Sequence, residues 1–107
     1  MAKYFNNALP GSCIPEGITR KTILTLDEAK IYLSGMDTLC LGHEQTCHFA
    51  AEELGRPVEH NRLNLPKFEH GDSILVYQYR GPRLPEGVYT LPEGASFTWE
   101  LYEFMYQ

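Results

Sequence analysis

Alternation of apolar and polar residues predicts several strands along the chain. Ile74, Leu75 and Val76 form a continuous apolar run, which is typical of a strand covered on both faces. Phe97 and Trp99 alternate with polar residues, which favours a last strand, with a helix as the alternative. The predicted strands are residues 2–9, 39–41, 58–65, 73–80 and 97–106, and the strand pattern also resumes briefly at 88–91. An irregular loop covers 10–17, and a short extended segment lies at 22–26.

Two helices are predicted between these strands. Thr25 and Glu28 have the spacing of a capping box, so the first helix should begin near Leu26 and stop at Gly35. The second should cover residues 44–54, with an apolar side and Gly55 after it. The order β-α-β-α-β-β-β predicts an α/β fold: a mixed sheet of about five strands with flanking helices, in a single domain over residues 1–107.

Composition restricts the class of protein. The chain has 107 residues, 43% hydrophobic and 21% charged, which is typical of a globular domain. It has no apolar run long enough to span a membrane and no signal-peptide pattern at Met1, so we expect a cytoplasmic protein without a membrane partner. The net charge of −5 argues against binding to long nucleic acid, but it leaves room for a small anionic ligand.

The cysteines do not predict a metal site. Cys13, Cys40 and Cys47 are odd in number and form no CxxC pair, and Cys47 is adjacent to His48, a poor spacing for shared ligation. We expect free thiols, no bound metal and no cofactor.

The junction from Leu39 to Cys47 is the strongest candidate for chemistry. A short apolar strand runs into Gly42, then His43, and then the start of a helix, where backbone N–H groups favour anions. A histidine there is able to exchange protons near neutral pH. The same pattern also fits a solvated residue at a helix start, and the residues alone leave both readings open.

Three other polar clusters also have two readings. Asn7 lies where the first strand is expected to end, near Asn6-Asn7, and it either contacts a ligand or bonds its own backbone in a turn. Arg62 is either a ligand contact or an exposed strand residue. Arg83 and Glu86 lie in a loop stiffened by prolines, and they form either part of a site or a solvated ion pair. Because ligands of open α/β sheets bind at strand ends, these clusters are expected to share a pocket.

This set of residues suits one kind of reaction. The chain has neither a G-x-S-x-G nucleophile motif nor a P-loop, and no carboxylate cluster suited to magnesium. An imidazole, two arginines, a glutamate and backbone amides suit cleavage of a phosphodiester whose own 2′-hydroxyl is the nucleophile. That reaction needs orientation, charge stabilisation and an acid for the leaving oxygen.

The sequence resembles the viral ring nucleases, the type III anti-CRISPR proteins of archaeal viruses and phages and their bacterial relatives. The resemblance extends from about Tyr4 to Tyr106. It is carried by the order of short motifs Asn7-Ala8-Leu9, Gly42-His43-Glu44-Gln45-Thr46, Asn61-Arg62, Gly71-Asp72, Val76-Tyr77-Gln78 and Arg83-Leu84-Pro85-Glu86-Gly87.

The resemblance implies a symmetric homodimer that binds cyclic tetra-adenylate, the second messenger of type III CRISPR systems. It implies metal-free cleavage to linear di-adenylate with a 2′,3′-cyclic phosphate, in the host cytoplasm, so that the effectors activated by the messenger are switched off. The general acid falls on His43, with Arg83 and Glu86 as the other catalytic residues. The predicted ligand contacts are Asn7, Gly42, Arg62 and Arg83.

One departure concerns a serine that the family often has soon after Asn-Ala. This chain has Pro10-Gly11 there, and Ser12 comes later. Two other classes of function remain as alternatives: a non-cleaving sponge for a cyclic nucleotide, and a regulatory interaction protein with the same fold.

Overall fold

The computed structural model describes residues 1–106, so that Gln107 of the predicted domain lies outside the described residues. Its main feature is a mixed four-stranded sheet formed by β1 (Lys3–Asn6), β2 (Ile18–Leu24), β5 (Ser73–Arg80) and β6 (Ser96–Met105). The spatial order is β1-β5-β6-β2, with β1 and β5 parallel and the other pairs antiparallel. The predicted α/β class and mixed sheet are confirmed.

Strand β5 is buried on both faces, as its apolar run predicted. Leu75 and Tyr77 pack with the helices in the larger core, whereas Ile74 and Val76 pack on the opposite face. There the second core includes Phe68, supplied by the chain segment that precedes β5. The central strand therefore holds two cores together.

Both helices lie where the sequence predicted them. Helix α1 (Leu26–Leu33) begins at Thr25, whose side chain accepts from the Glu28 amide while the Glu28 carboxylate accepts from the Thr25 amide. Helix α2 (Glu44–Leu54) ends at Gly55, which adopts the left-handed conformation at φ 68°. Neither helix is long and apolar enough to cross a membrane, and the same is true throughout residues 1–106.

The structure differs from the predicted strands in three respects. The sheet has four strands rather than about five, because β3 (Cys40–Leu41) and β4 (Glu59–His60) form a separate parallel pair. The predicted strand over 58–65 shrinks to β4: the Asn61 amide still donates to the Leu41 carbonyl, but the pairing with β3 ends at His60. Residues 88–91 are not a strand, because the Val88 carbonyl accepts from a side chain of α2 instead of a strand.

Candidate functional site

A cavity of about 1170 Å³ opens where the parallel strands end. Asn7 follows β1 directly, Gly42 follows β3, Arg62 lies two residues beyond β4, and Gly81 follows β5. All four line the cavity. The carboxyl ends of parallel strands are the usual ligand-binding edge of an open α/β sheet, and here the two parallel pairs end at the same place.

Every site residue predicted from the sequence lines this cavity. They come from four separate segments of the chain, which the fold brings together. They are Asn7, Gly42, His43, Arg62, Arg83 and Glu86. Ser12 is not among the lining residues. The shared pocket was expected from the strand ends alone, whereas the role of each residue stays a prediction.

His43 is the residue at which helix α2 begins. Its backbone is extended, at φ −136° and ψ 122°, and its carbonyl accepts from the Cys47 amide. The Thr46 hydroxyl lies 3.2 Å from Nδ1, and the ring makes no capping hydrogen bond. Within residues 1–106, Nε2 has no hydrogen-bond partner of its own. Because Thr46 engages one ring nitrogen, the other remains available to a ligand beside the helix N-terminus.

Asn7, Gly42 and Arg62 fit closely against one another. The Gly42 amide donates to Asn7 Oδ1 over 3.1 Å, which ties the end of β3 to the end of β1. A Cβ atom on Gly42 would lie 3.2 Å from Cγ of Arg62 and 3.5 Å from Asn7 Oδ1. Asn7 therefore joins two strand ends rather than bonding its own turn. The local side-chain bond in that turn comes from Asn6, which donates to the carbonyl of Ala8.

The cavity contains two arginines that have no acidic partner in the described part of the chain. Arg20 and Arg80 pair with glutamates, and Arg56 donates to backbone carbonyls. Arg62 and Arg83 do neither, and Arg83 forms no ion pair with Glu86. Free guanidinium groups at a cavity are suited to bind phosphate.

Acidic and aromatic groups complete the lining. Glu44 and Glu86 balance the two arginine charges, so any anion must be bound by local positive groups rather than by the net charge. Partial burial and the nearby Glu44 carboxylate raise the pKa of Tyr89. The pKa of Tyr77 is also raised, mainly by burial and to a smaller extent by its hydrogen bond to Glu53.

Sequence reasoning included Gln45 in the motif that contains His43 but assigned it no role; in the structure it lines the cavity next to His43. Its side-chain amide donates to the carbonyls of Pro85 (2.7 Å) and Val88 (2.6 Å), and the residue is only 7% exposed. Gln45 lies one turn before Phe49 on the buried side of α2, and a glutamine on an apolar helix face is a signal that would have identified it. Its partners, some 40 residues away, carry no such signal.

Of the remaining histidines, only His60 lines the cavity in the described part of the chain, and none of the cysteines does. His60 lines the cavity, whereas His48 packs edge-on against Tyr89, with ring centroids 4.9 Å apart. His70 contacts the Glu16 carbonyl at 2.6 Å, away from the cavity. The three cysteines are free. In the described chain, no three histidine, cysteine or acidic side chains converge to hold a metal ion.

A protein-family model matches most of this chain. No curated protein sequence matches this chain. The model of the STIV B116-like family matches residues 4–96, a span that contains both helices, the strands from Tyr4 of β1 to the start of β6, and every residue of the cavity. The chain therefore belongs to the STIV B116-like family, a viral protein family named for B116 of Sulfolobus turreted icosahedral virus.

Proposed function

We propose that the protein is a ring nuclease that opens cyclic tetra-adenylate to linear di-adenylate. The observation that carries this proposal is the convergence of His43 with two partner-free arginines, Arg62 and Arg83, in one cavity. The order of motifs, which resembles the viral ring nucleases, supplies the identity of the ligand. Membership of a viral family fits a protein that destroys a defence messenger and so acts as an anti-CRISPR.

The reaction needs no nucleophile from the protein. The 2′-hydroxyl of one adenosine attacks the adjacent phosphorus, forming a 2′-O–P bond while the bond from phosphorus to the 5′-oxygen breaks. His43 gives a proton to the departing 5′-oxygen, and solvent takes the proton of the 2′-hydroxyl. Two such cleavages convert one ring into two di-adenylates, each with a 2′,3′-cyclic phosphate.

The other cavity residues stabilise and orient the reacting phosphate. Arg62 and Arg83 face the negative charge that accumulates on the phosphate oxygens. Backbone amides near Gly42, at the N-terminus of α2, add fixed positive dipoles. Glu86 orients the 2′-hydroxyl or the arginines. These roles require positioning and charge but no metal, in keeping with the resemblance.

The proposal includes a symmetric homodimer. A two-fold dimer presents the same cavity twice, which matches a ring with its own two-fold symmetry. Two copies of His43 then act on opposite phosphates of one ring. This arrangement explains why the product is a dinucleotide rather than a single opened tetramer.

The decisive experiment incubates the protein with a panel of cyclic oligoadenylates in EDTA and identifies the products by mass spectrometry. We expect cleavage of the tetramer to di-adenylate with a cyclic phosphate. Bound but intact ring would identify a sponge instead, and the absence of binding to any ring would contradict the whole proposal.

The role of His43 has its own test. His43→Ala should slow single-turnover cleavage by ~10²–10⁴-fold, the usual contribution of a general acid, while ring binding is largely kept. His70→Ala is the matched control, since His70 lies away from the cavity. An unchanged rate in His43→Ala would remove this residue from the mechanism.

A further inference from the structure

The sequence Pro-Glu-Gly forms the same turn twice in the connection between β5 and β6. In one turn the Val88 amide donates to the Pro85 carbonyl over 3.2 Å. In the other turn the Ala95 amide donates to the Pro92 carbonyl over 3.0 Å. Gly87 and Gly94 both have φ 80°, as the third residue of a type II turn requires. By local sequence and backbone these two turns are equivalent.

Their surroundings distinguish them. The first turn carries Glu86 into the lining of the cavity, whereas no residue of the second turn lines it. The first turn is also held by Gln45, whose amide reaches both its first and its last carbonyl. Within residues 1–106, no side chain donates to the Pro92 turn in this way.

The geometry of Gln45 is well defined. Both of its acceptors are carbonyl oxygens, so the NH₂ group must face the turn. The residue is buried and belongs to the first turn of α2, two positions after His43. His43 and Gln45 therefore lie in the same helical turn, and the two hydrogen bonds of Gln45 connect that turn to the loop that carries Arg83 and Glu86.

We propose that Gln45 is a positioning residue that sets the Arg83–Glu86 loop relative to His43. It acts through the loop and does not contact the reacting atoms. Without its two hydrogen bonds the loop spends less time over the cavity, so the ring must order the loop when it binds. The positioning of the loop stands by itself, while its effect on cleavage rests on the proposed function.

The first test needs no ligand. Amide hydrogen exchange is measured by NMR at Val88 and at Ala95, which serves as an internal control in the equivalent turn. Gln45→Leu should speed exchange at Val88 by about tenfold or more, the effect of two lost hydrogen bonds, with Ala95 unchanged. Gln45→Glu, which keeps the shape but removes the donors, should behave in the same way. Glu52→Gln, an exposed change on the same helix, should alter neither amide.

The result that overturns the proposal is unchanged exchange at Val88 in both Gln45 variants. Faster exchange at both amides would also overturn it, because general loosening of the fold would then replace a local role. If one variant fails to fold, the other still gives the comparison. This test is independent of whether the protein acts on any nucleotide.

The second test uses cyclic tetra-adenylate in single-turnover reactions. Gln45→Leu should raise the protein concentration that gives half the maximal rate by about tenfold, because the competent loop position is less populated. The saturating rate should stay within about threefold of the wild type, since the bound loop is already ordered. A large fall in the saturating rate with unchanged concentration dependence would contradict this role. If the wild-type protein cleaves no ring, the proposed function fails while the exchange result still decides the role of Gln45.

Discussion

Gly42 is the position at which the size of a single residue determines the shape of the cavity. Its missing side chain leaves room for Arg62, and its amide binds Asn7. The backbone of Gly42 does not have a positive φ, so close packing, rather than conformation, is what requires glycine here. The cavity therefore depends on an absent methyl group as much as on its charged residues.

Gly42→Ala should weaken binding of the ring several-fold while the fold is kept. The added methyl group would meet Cγ of Arg62 at 3.2 Å and push the guanidinium out of place. Calorimetry in the His43→Ala background, in which cleavage should be strongly slowed, measures the affinity. Gly35→Ala is the matched control, because a methyl group there meets nothing within 4 Å. Equal affinities for the two alanine variants would contradict this account of Gly42.

At the scale of residues, the sequence located the site better than it located the contacts. Five of the six predicted residues could be placed because each lies at a predicted strand end or in a loop beside one, and strand ends meet at one edge. Arg62 was predicted inside the strand over 58–65, and it lies at the cavity because that strand ends at His60. The link between Gln45 and the turn at Pro85 could not, since a side-chain bond to a distant carbonyl depends on how α2 packs against the loop. The bond from Gly42 to Asn7 was hidden for the same reason.

Among the elements, β6 carries an acidic residue on the face of the sheet away from the helices. Glu100 is only 2% exposed and forms ion pairs with Arg80 on β5 and Lys21 on β2. Burial by itself opposes ionisation, but hydrogen bonds from Thr98, Tyr102 and Arg80, together with the charge of Lys21, outweigh it and lower the pKa of Glu100 to about 2. One carboxylate thus joins three neighbouring strands.

Because its folded pKa lies below the ordinary value of 4.5, the Glu100 carboxylate stabilises the fold above about pH 4.5. That stabilisation is lost as the pH falls toward 2. Glu100→Gln should therefore lower the free energy of unfolding by about 2 kcal/mol at pH 7 and by much less near pH 2. Urea unfolding at several pH values measures the difference.

The neighbouring Glu103 supplies the control for this prediction. Glu103→Gln removes an exposed ion pair to Arg20 and should cost less than about 1 kcal/mol. If Glu100→Gln lowers the free energy of unfolding by the same amount at pH 7 and at pH 2, the carboxylate charge is not what holds the strands together.

Elements with a buried face were predictable, and those without one were not. Helix α2 and β5 have the predicted bounds, because their apolar residues repeat with the period of a helix or form a continuous run. Strand β2 was predicted only in part, at 22–26, since it is an edge strand and nearly all of its residues are exposed. An edge strand that packs little apolar surface has no periodic signal to detect.

For the whole molecule, the proposed function predicts how many chains bind one ring. A two-fold dimer around a symmetric ring predicts one cyclic tetra-adenylate for every two chains. Titration calorimetry of the His43→Ala variant measures this ratio, and light scattering measures the mass of the free protein. One ring per chain on a monomer would contradict the dimer in the proposal.

The four-stranded sheet joins the beginning of the described chain to its end. In this sheet β1 pairs only with β5, and β2 pairs only with β6 in a register that sets Ile18 opposite Met105. During synthesis, at about 5–20 residues per second, β2 therefore remains unpaired for on the order of five to fifteen seconds until β6 has been made. A waiting strand made of hydrophobic residues would invite aggregation, whereas Arg20 and Lys21 at the middle of β2 discourage it. We therefore expect the polarity that concealed this strand in the sequence also to limit aggregation of the nascent chain.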